Sequence, residues 1–318
     1  MKALSLEITN TCNEKCRHCY QPENSGKQFI SDLELLNKMF AELSESGFIF
    51  LSLTGGEPLL HPEFKEICLL AQKNRYIISV KTNGVLINND LAQFLKKLKP
   101  SSVEVSLYSA DPEEHDFITC VKGSFNASVE GIMALKKHNV KVSVMTPVLN
   151  GIKKWKELLP VMKNMGVPWS CSPNIRSSFD ERDEVEQFRG DSSYHLDFFE
   201  FINGHENQKK LNLENKCFKE CGGGISTICV APDYSVRACL SYPGSVGIYT
   251  GGNAKELLSK ARKQLEERFA KLECHQCGLV KYCDPCPAHL KIVDGVGKCD
   301  PAKKEFVKAY LKFFGEKA

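Results

Sequence analysis

Hydrophobic and polar positions divide the chain into two unlike parts. Up to about residue 175, short apolar and β-branched runs alternate with amphipathic stretches of helical period. That alternation predicts parallel strands joined by crossover helices. Strands are expected at 3–9, 48–53, 76–81, 103–107, 140–147 and 168–173, and helices at 32–46, 62–73, 88–98, 125–138 and 152–165. Ser31-Asp32 before Leu33 and Asn88-Asn89 before Leu91 supply helix N-caps, while Gly47, Asn139 and Gly166 stand where helices should stop. Six strands suit an open three-quarter barrel better than a closed eight-stranded one. Residues 175–189 are polar and charged with poor periodicity, and read as a loop near the barrel's open side. Arg176 and Arg189 in that loop are either solvated surface or partners for a peptide carboxylate. A further helix is expected at 254–271, and a closing one at roughly 302–314. The closing helix sets Phe306, Tyr310, Phe313 and Phe314 among lysines and is expected to pack back on the barrel.

Composition changes this picture in one respect. The 318 residues are 42% hydrophobic and 25% charged, with a net charge of +3, too little to argue for nucleic acid. No apolar run approaches the roughly 18 residues of a membrane span, and no signal peptide precedes the first strand. Neither nucleic acid nor membrane is expected as a partner. With strand one so close to the first residue, no separate peptide-recognition domain is expected ahead of it.

Cysteine is the outlier. There are 15, with Cys12, Cys16 and Cys19 at one end, nine between Cys217 and Cys299, and only Cys68, Cys120 and Cys171 between. In a chain without an export signal these are thiols kept reduced in the cytoplasm, and clusters at both ends imply metal at both ends. Cys68 and Cys171 read as core thiols. From Cys217 the sequence turns to glycines, short apolar fragments and dense cysteines, a region expected to need metal for stability.

The chemistry centres on Cys12-Asn13-Glu14-Lys15-Cys16-Arg17-His18-Cys19-Tyr20, directly after the first strand. Three thiolates from one loop leave a metal position open, the mark of a reactive site. Alone, the triplet also suits zinc or a redox pair. In α/β layouts of this kind functional residues lie at the carboxyl ends of strands. Strand two ends in Thr54-Gly55-Gly56-Glu57-Pro58, a backbone able to approach a ligand closely, or a plain strand-to-helix turn. Strand three ends in Lys81-Thr82-Asn83-Gly84, and strand four in Ser106-Leu107-Tyr108-Ser109. His115-Asp116 is either a general acid–base pair or a structural loop pair, and Cys120 lies in the same loop.

These motifs, in this order and spacing, resemble those of the radical SAM enzymes. The resemblance implies a partial (β/α)6 TIM-type barrel in which Cys12, Cys16 and Cys19 hold a 4Fe–4S cluster whose free iron binds S-adenosylmethionine. Gly55, Gly56, Glu57 and Pro58 would meet the methionyl group, Asn83 would lie near the cofactor, and Ser106 would approach the ribose. The late cysteines resemble a SPASM domain with two auxiliary 4Fe–4S clusters. By that likeness Cys217, Cys221, Cys239 and Cys286 would hold one, and Cys274, Cys277, Cys283 and Cys299 the other. Two departures stand out: Tyr234 replaces a usual glycine, and the gap before Cys286 is one residue short. Cys229 is left over, as a packed strand residue, a substitute ligand or a hydrogen-atom donor. Paired Cys-x2-Cys units would equally form a zinc ribbon.

The implied organisation is a barrel at 1–175, a connecting segment at 176–214, a SPASM-like region at 215–300 and a C-terminal helix at 301–318. The implied activity is reductive cleavage of S-adenosylmethionine and radical modification of a peptide or protein, with a flavodoxin- or ferredoxin-type reductant. Anaerobic sulfatase maturation and haem-pathway chemistry are the enzymatic alternatives. A zinc-stabilised interaction protein is the other. Cys120, His115, Asp116 and Cys229 are the catalytic candidates.

Overall fold

The computed structural model describes residues 1–22, 27–204, 221–283, 286–288, 291–293 and 296–315. In chain order the barrel part runs β1 (Lys2–Thr9), α1 (Leu33–Glu45), β2 (Phe48–Gly55), α2 (Phe64–Lys73), β3 (Ile77–Thr82), α3 (Asn89–Leu98) and β4 (Ser102–Ser106). It continues through α4 (Pro112–Thr119), α5 (Ser124–Lys137), β5 (Val142–Pro147), α6 (Leu158–Met165) and β6 (Trp169–Ser172). All six strands pair in parallel with their neighbours in sequence. Leu4, Leu6 and Ile8 of β1 pack with Leu36, Met39, Phe40 and Leu43 of α1 in one buried core. The strand period of two therefore turns Ser5, Glu7 and Thr9 to the other face.

The predicted caps form: Asp32 accepts from Leu35 N and Asn88 from Leu91 N. Gly47, Asn139 and Gly166 all take positive φ at the helix ends. α6 begins six residues later than its periodicity suggested. Pro160 explains this, because a proline is tolerated in a first turn but clashes with the carbonyl four residues back in a helix interior. α4 was not predicted, although Asp111 accepts from Glu113 N and Glu114 N and Pro112 takes the first helical position.

The larger correction is beyond residue 175. The connecting segment holds α7 (Asp183–Glu186) and α8 (Ser192–Asn203), not only loop. β7 (Thr227–Val230) then pairs in parallel with the free edge of β1, and β8 (Ser235–Arg237) and β9 (Gly247–Ile248) follow antiparallel. Among the described residues the result is one nine-stranded sheet, ordered β6-β5-β4-β3-β2-β1-β7-β8-β9. The cysteine-rich region thus buries structure of its own: Ile228, Val230, Val236 and Tyr249 join the barrel core with Ala254 and Leu257 of α9 (Ala254–Ala270). Strands of two to four residues are too short to show a period, so the sequence hid them. A two-stranded hairpin, β10 (Lys291–Val293) and β11 (Val296–Lys298), precedes α10 (Pro301–Phe314). α10 packs its aromatic face on Phe199 of α8, in a core shared with Tyr108, Val148 and Trp155 of the barrel.

Tyr234, at the position expected to be glycine, adopts glycine's left-handed backbone, φ 61°. Its ring is buried, and its hydroxyl donates to Asp32 O at 2.5 Å, tying the β7–β8 turn to the start of α1. Losing a buried aromatic costs about 3 kcal/mol, while relieving a left-handed residue returns about 1 kcal/mol. Tyr234→Gly should therefore lower stability by about 2 kcal/mol, and Tyr234→Phe by about 1 kcal/mol, read from denaturant midpoints.

Candidate active site

The cysteine loop leaves the carboxyl end of β1 and is braced from three sides. Gly56 N donates to Thr9 O and Glu57 N to Thr11 O, both at 2.8 Å, so the end of β2 runs edge-on to the loop. On a second side Lys15 N donates to Thr119 O (3.1 Å) and Arg17 N to Ile118 O (2.9 Å). These are end carbonyls of α4, which no intrahelical donor satisfies. On the third side Arg182 Nη2 donates to Cys19 O (2.6 Å) and Gln21 O (2.7 Å), and Phe179 N to Tyr20 O (2.9 Å). Arg182 and the segment before it were missed in the sequence, where they read as solvated loop.

Cys12 is exposed and Cys16 and Cys19 are half-buried. The Cys16 thiol approaches Glu14 Oε2 at 3.4 Å and the Tyr108 hydroxyl at 3.8 Å. Burial first, and then Glu14 and the neighbouring sulfurs, push the Cys16 thiol up. Burial likewise raises Cys19, which Arg182 opposes. Among the described residues no three Cys, His, Asp or Glu side chains form a finished metal cage. The donor set nevertheless suits an iron–sulfur cluster with one open iron. It offers three sulfurs on one loop, with Cys12 and Cys19 both close enough to Cys16 to act electrostatically on its thiol.

Glu57 explains how the Gly-Gly-Glu-Pro turn and the Thr-Asn-Gly turn are locked together. Fully buried, it accepts from Thr82 Oγ1 (2.8 Å), Asn83 N (2.8 Å) and Leu59 N (3.0 Å). Asn83 Nδ2 in turn donates to Asn13 Oδ1 in the cysteine loop at 2.9 Å. Pro58 is buried in the short turn that Glu57 caps. Burial raises the Glu57 carboxyl from 4.5 to about 7, against the hydrogen bonds that lower it. The folded state therefore holds this proton longer than the unfolded one. Its contribution to stability is complete below about 4.5 and is lost as pH rises through about 7. Glu57→Gln should flatten the pH dependence of the urea midpoint across that window in metal-free protein.

His115 and Asp116 hydrogen-bond to different neighbours. Asp116 turns to the start of α5, accepting from Gly123 N (2.5 Å) and Phe125 N (2.9 Å). His115, fully buried, accepts from Tyr108 N at 3.3 Å and meets Ser124 Oγ at 3.4 Å. Burial lowers its imidazole to about 4 and keeps it neutral. Ser124 Oγ donates to Glu14 Oε1, so His115, Ser124 and Glu14 form one buried support behind Cys16. Glu14 and Ser124 were both overlooked, although Glu14 lies inside the motif. Cys120 caps the end of α4 with φ 56°, exposed, its sulfur 3.8 Å from Phe117 O. Ser106 ends β4, half-buried, its backbone paired with Met145 of β5.

The later cysteines fall into two groups. Cys221, Cys239 and Cys286 pack around Ala238, Tyr242, Ala261, Leu265 and Ala288, while Cys217 lies outside the described residues. Cys274, Cys277, Cys283 and Cys299 line one pocket with Leu279, Val280 and Val307. Cys229 is fully buried in β7, and Arg237 Nη2 donates to its sulfur at 3.1 Å.

Residues 6–160 match the family model described as the Radical SAM superfamily. The antilisterial bacteriocin subtilosin biosynthesis protein AlbA of Bacillus subtilis (strain 168) is 28% identical over 247 residues, 75% of this chain and 55% of AlbA. The chain thus spans about half the length of that curated relative. Native anSMEcpe with bound AdoMet and Cp18Cys peptide has the same fold, with TM-score 0.73 and 20% identity over 98% of this chain and 97% of that one. So does Streptococcus suis SuiB bound to precursor peptide SuiA, with TM-score 0.67 and 14% identity over 95% of this chain and 75% of that one. With the cysteine loop and the braced Gly-Gly-Glu-Pro turn inside the matched region, residues 6–160 form a radical SAM domain.

Proposed function

We propose that this chain is a peptide- or protein-modifying radical SAM enzyme, acting in ribosomal peptide maturation. The observation that carries the reading is the three-sided bracing of the Cys12–Cys19 loop at the end of β1, by β2, α4 and Arg182. The peptide assignment draws support from AlbA's part in making a bacteriocin and from the peptides bound to anSMEcpe and SuiB. Cys12, Cys16 and Cys19 would hold the 4Fe–4S cluster, and Gly55, Gly56, Glu57, Pro58, Asn83 and Ser106 would line the S-adenosylmethionine site. Together, when bound, these cofactors supply reductive cleavage of the sulfonium and a 5′-deoxyadenosyl radical able to abstract hydrogen. The protein's share is to bind, orient and exclude water. Glu57 fixes the two turns that would meet the cofactor, and His115, Ser124 and Glu14 fix Cys16 from behind.

The 215–300 region would carry two auxiliary 4Fe–4S clusters, on Cys217, Cys221, Cys239 and Cys286 and on Cys274, Cys277, Cys283 and Cys299. The pocket shared by the last four supports the second assignment. We place the protein in the cytoplasm, served by a flavodoxin- or ferredoxin-type reductant, because its chemistry needs free thiols. No described helix is long and apolar enough to cross a membrane.

The decisive experiment is mass spectrometry of a peptide encoded beside the gene after incubation with reduced enzyme and S-adenosylmethionine. A mass change on that peptide is expected. The whole-chain likeness to anSMEcpe favours a second reading, sulfatase maturation. An unchanged peptide, with formylglycine on a sulfatase fragment, would replace the first reading by the second. A colourless, iron-free preparation after anaerobic reconstitution would sink both in favour of zinc.

A further inference from the structure

Of Arg176, Arg182, Arg189 and Arg237, three are committed. Arg182 holds the carbonyls of Cys19 and Gln21. Arg189, which the sequence left as a possible carboxylate partner, is buried and paired with Asp300 and Glu186. Arg237 is paired with Glu7. Arg176 is different. Among the described residues it has no hydrogen-bond or ion-pair partner and lies only over the Tyr20 ring, 5.6 Å from its centroid.

Its surroundings make that unusual. Tyr20 follows Cys19 and meets Phe179 edge to face, with ring centroids 5.3 Å apart. The Arg237 guanidinium lies over Phe179 at 5.2 Å, and Arg176 is close enough to Cys239 for its charge to be felt there. Arg237 is only 6% exposed, and its buried Nε has no hydrogen-bond partner. Asp180 pairs with Arg182, and Glu7, the carboxylate against Arg237, is already used. It accepts from Arg237, from the Tyr20 hydroxyl (3.1 Å) and from Gln21 Nε2 (2.8 Å). Two guanidiniums thus lie against a pair of aromatic rings, one of them paired with an already saturated carboxylate and the other without one among the described residues, between the cysteine loop and the later cysteines. A partly desolvated excess of positive charge calls for an anion, and a planar guanidinium favours a carboxylate.

We propose that Arg176, with Arg237 behind it, receives a carboxylate of the peptide substrate, from an Asp or Glu side chain or the C-terminus. This rests on the peptide reading above. The methionyl carboxylate of S-adenosylmethionine offers the same chemistry, so the test separates the two.

The full chain, anaerobically reconstituted, is mixed with matched pools of short random peptides. One pool carries a fixed Asp or Glu and the other Asn or Gln, each with free or amidated C-termini, and retained peptides are counted by mass spectrometry. Carboxylate peptides should be retained about tenfold better, the worth of one charge-assisted hydrogen bond. Arg176→Gln should erase that preference and Arg176→Lys restore part of it. Iron content, and the change in the reduced cluster's EPR signal on adding S-adenosylmethionine, should not move. Equal retention of the two pools overturns the inference and leaves the peptide reading standing, whereas no retention from any pool removes both. An unaltered preference in Arg176→Gln also overturns it. Loss of iron or of the S-adenosylmethionine response in that variant would assign the guanidinium to a cluster or to the cofactor instead.

Discussion

Cys16→Ala is expected to bring 5′-deoxyadenosine formation to background and to lower iron by about four atoms per chain. Cys16 is the middle thiol of the loop, and every support behind it converges there. Its sulfur faces Glu14 and Tyr108, Glu14 is held by Ser124, and Ser124 meets His115. A two-sulfur loop cannot keep one iron open while holding the other three. Cys283→Ala is the control, because Cys283 lines the separate pocket with Cys274, Cys277 and Cys299. It should lose a similar amount of iron and still cleave S-adenosylmethionine. Should Cys16→Ala still form 5′-deoxyadenosine at the parent's rate, the site is elsewhere.

Gly56→Ala should cost nearly as much through backbone alone. A Cβ at Gly56 would lie 2.3 Å from Thr11 O, 2.6 Å from Thr11 C and 2.8 Å from Asn10 O. None of these atoms can swing aside, because all belong to the backbone entering the cysteine loop. The Glu57 N to Thr11 O bond across the same contact would have to open as the loop moves. Overpacking of this kind costs about 3 kcal/mol. The displacement falls on Cys12 and its neighbours, so iron occupancy of the loop cluster should drop with stability. Gly151→Ala separates strain from collision. Gly151 has φ +89° but nothing within 4 Å of an added Cβ, so it should cost only about 1 kcal/mol and leave the iron in place. Iron assay and denaturant midpoints on the two variants decide the matter, and equal iron in both would refute the proposed contact.

The barrel was legible because its rules are local. Alternating apolar residues specify a buried strand and a 3.6-residue period a helix, and the caps at Asp32 and Asn88 fell where a side-chain acceptor meets a free N–H. α4 could have been found from Asp111-Pro112-Glu113-Glu114, but it was passed over for the His115-Asp116 dipeptide it contains. Adjacency in sequence left open a catalytic or a structural pair, whereas the helix points the two side chains to different neighbours. β7 to β9 gave no signal, since each is two to four residues long and is stabilised by pairing, β7 with the edge of β1, β8 with β7 and β9 with β8, rather than by its own pattern.

The sequence by itself determined the order of the six barrel strands and of the helices between them other than α4, the three closely spaced sulfurs, and the glycines at the end of β2. All of these depend on residues within a few positions of one another. Tertiary structure decided what surrounds the sulfurs. Ser124 reaches Glu14 across 110 positions, Arg182 reaches Cys19 across 163, and Arg237 reaches Glu7 across 230. It also decided that Arg176, among the described residues, lies over the Tyr20 ring and has no hydrogen-bond or ion-pair partner. Hydrogen bonds and charges act through space, and only the closing of the sheet sets which distant side chains come within their few-ångström reach.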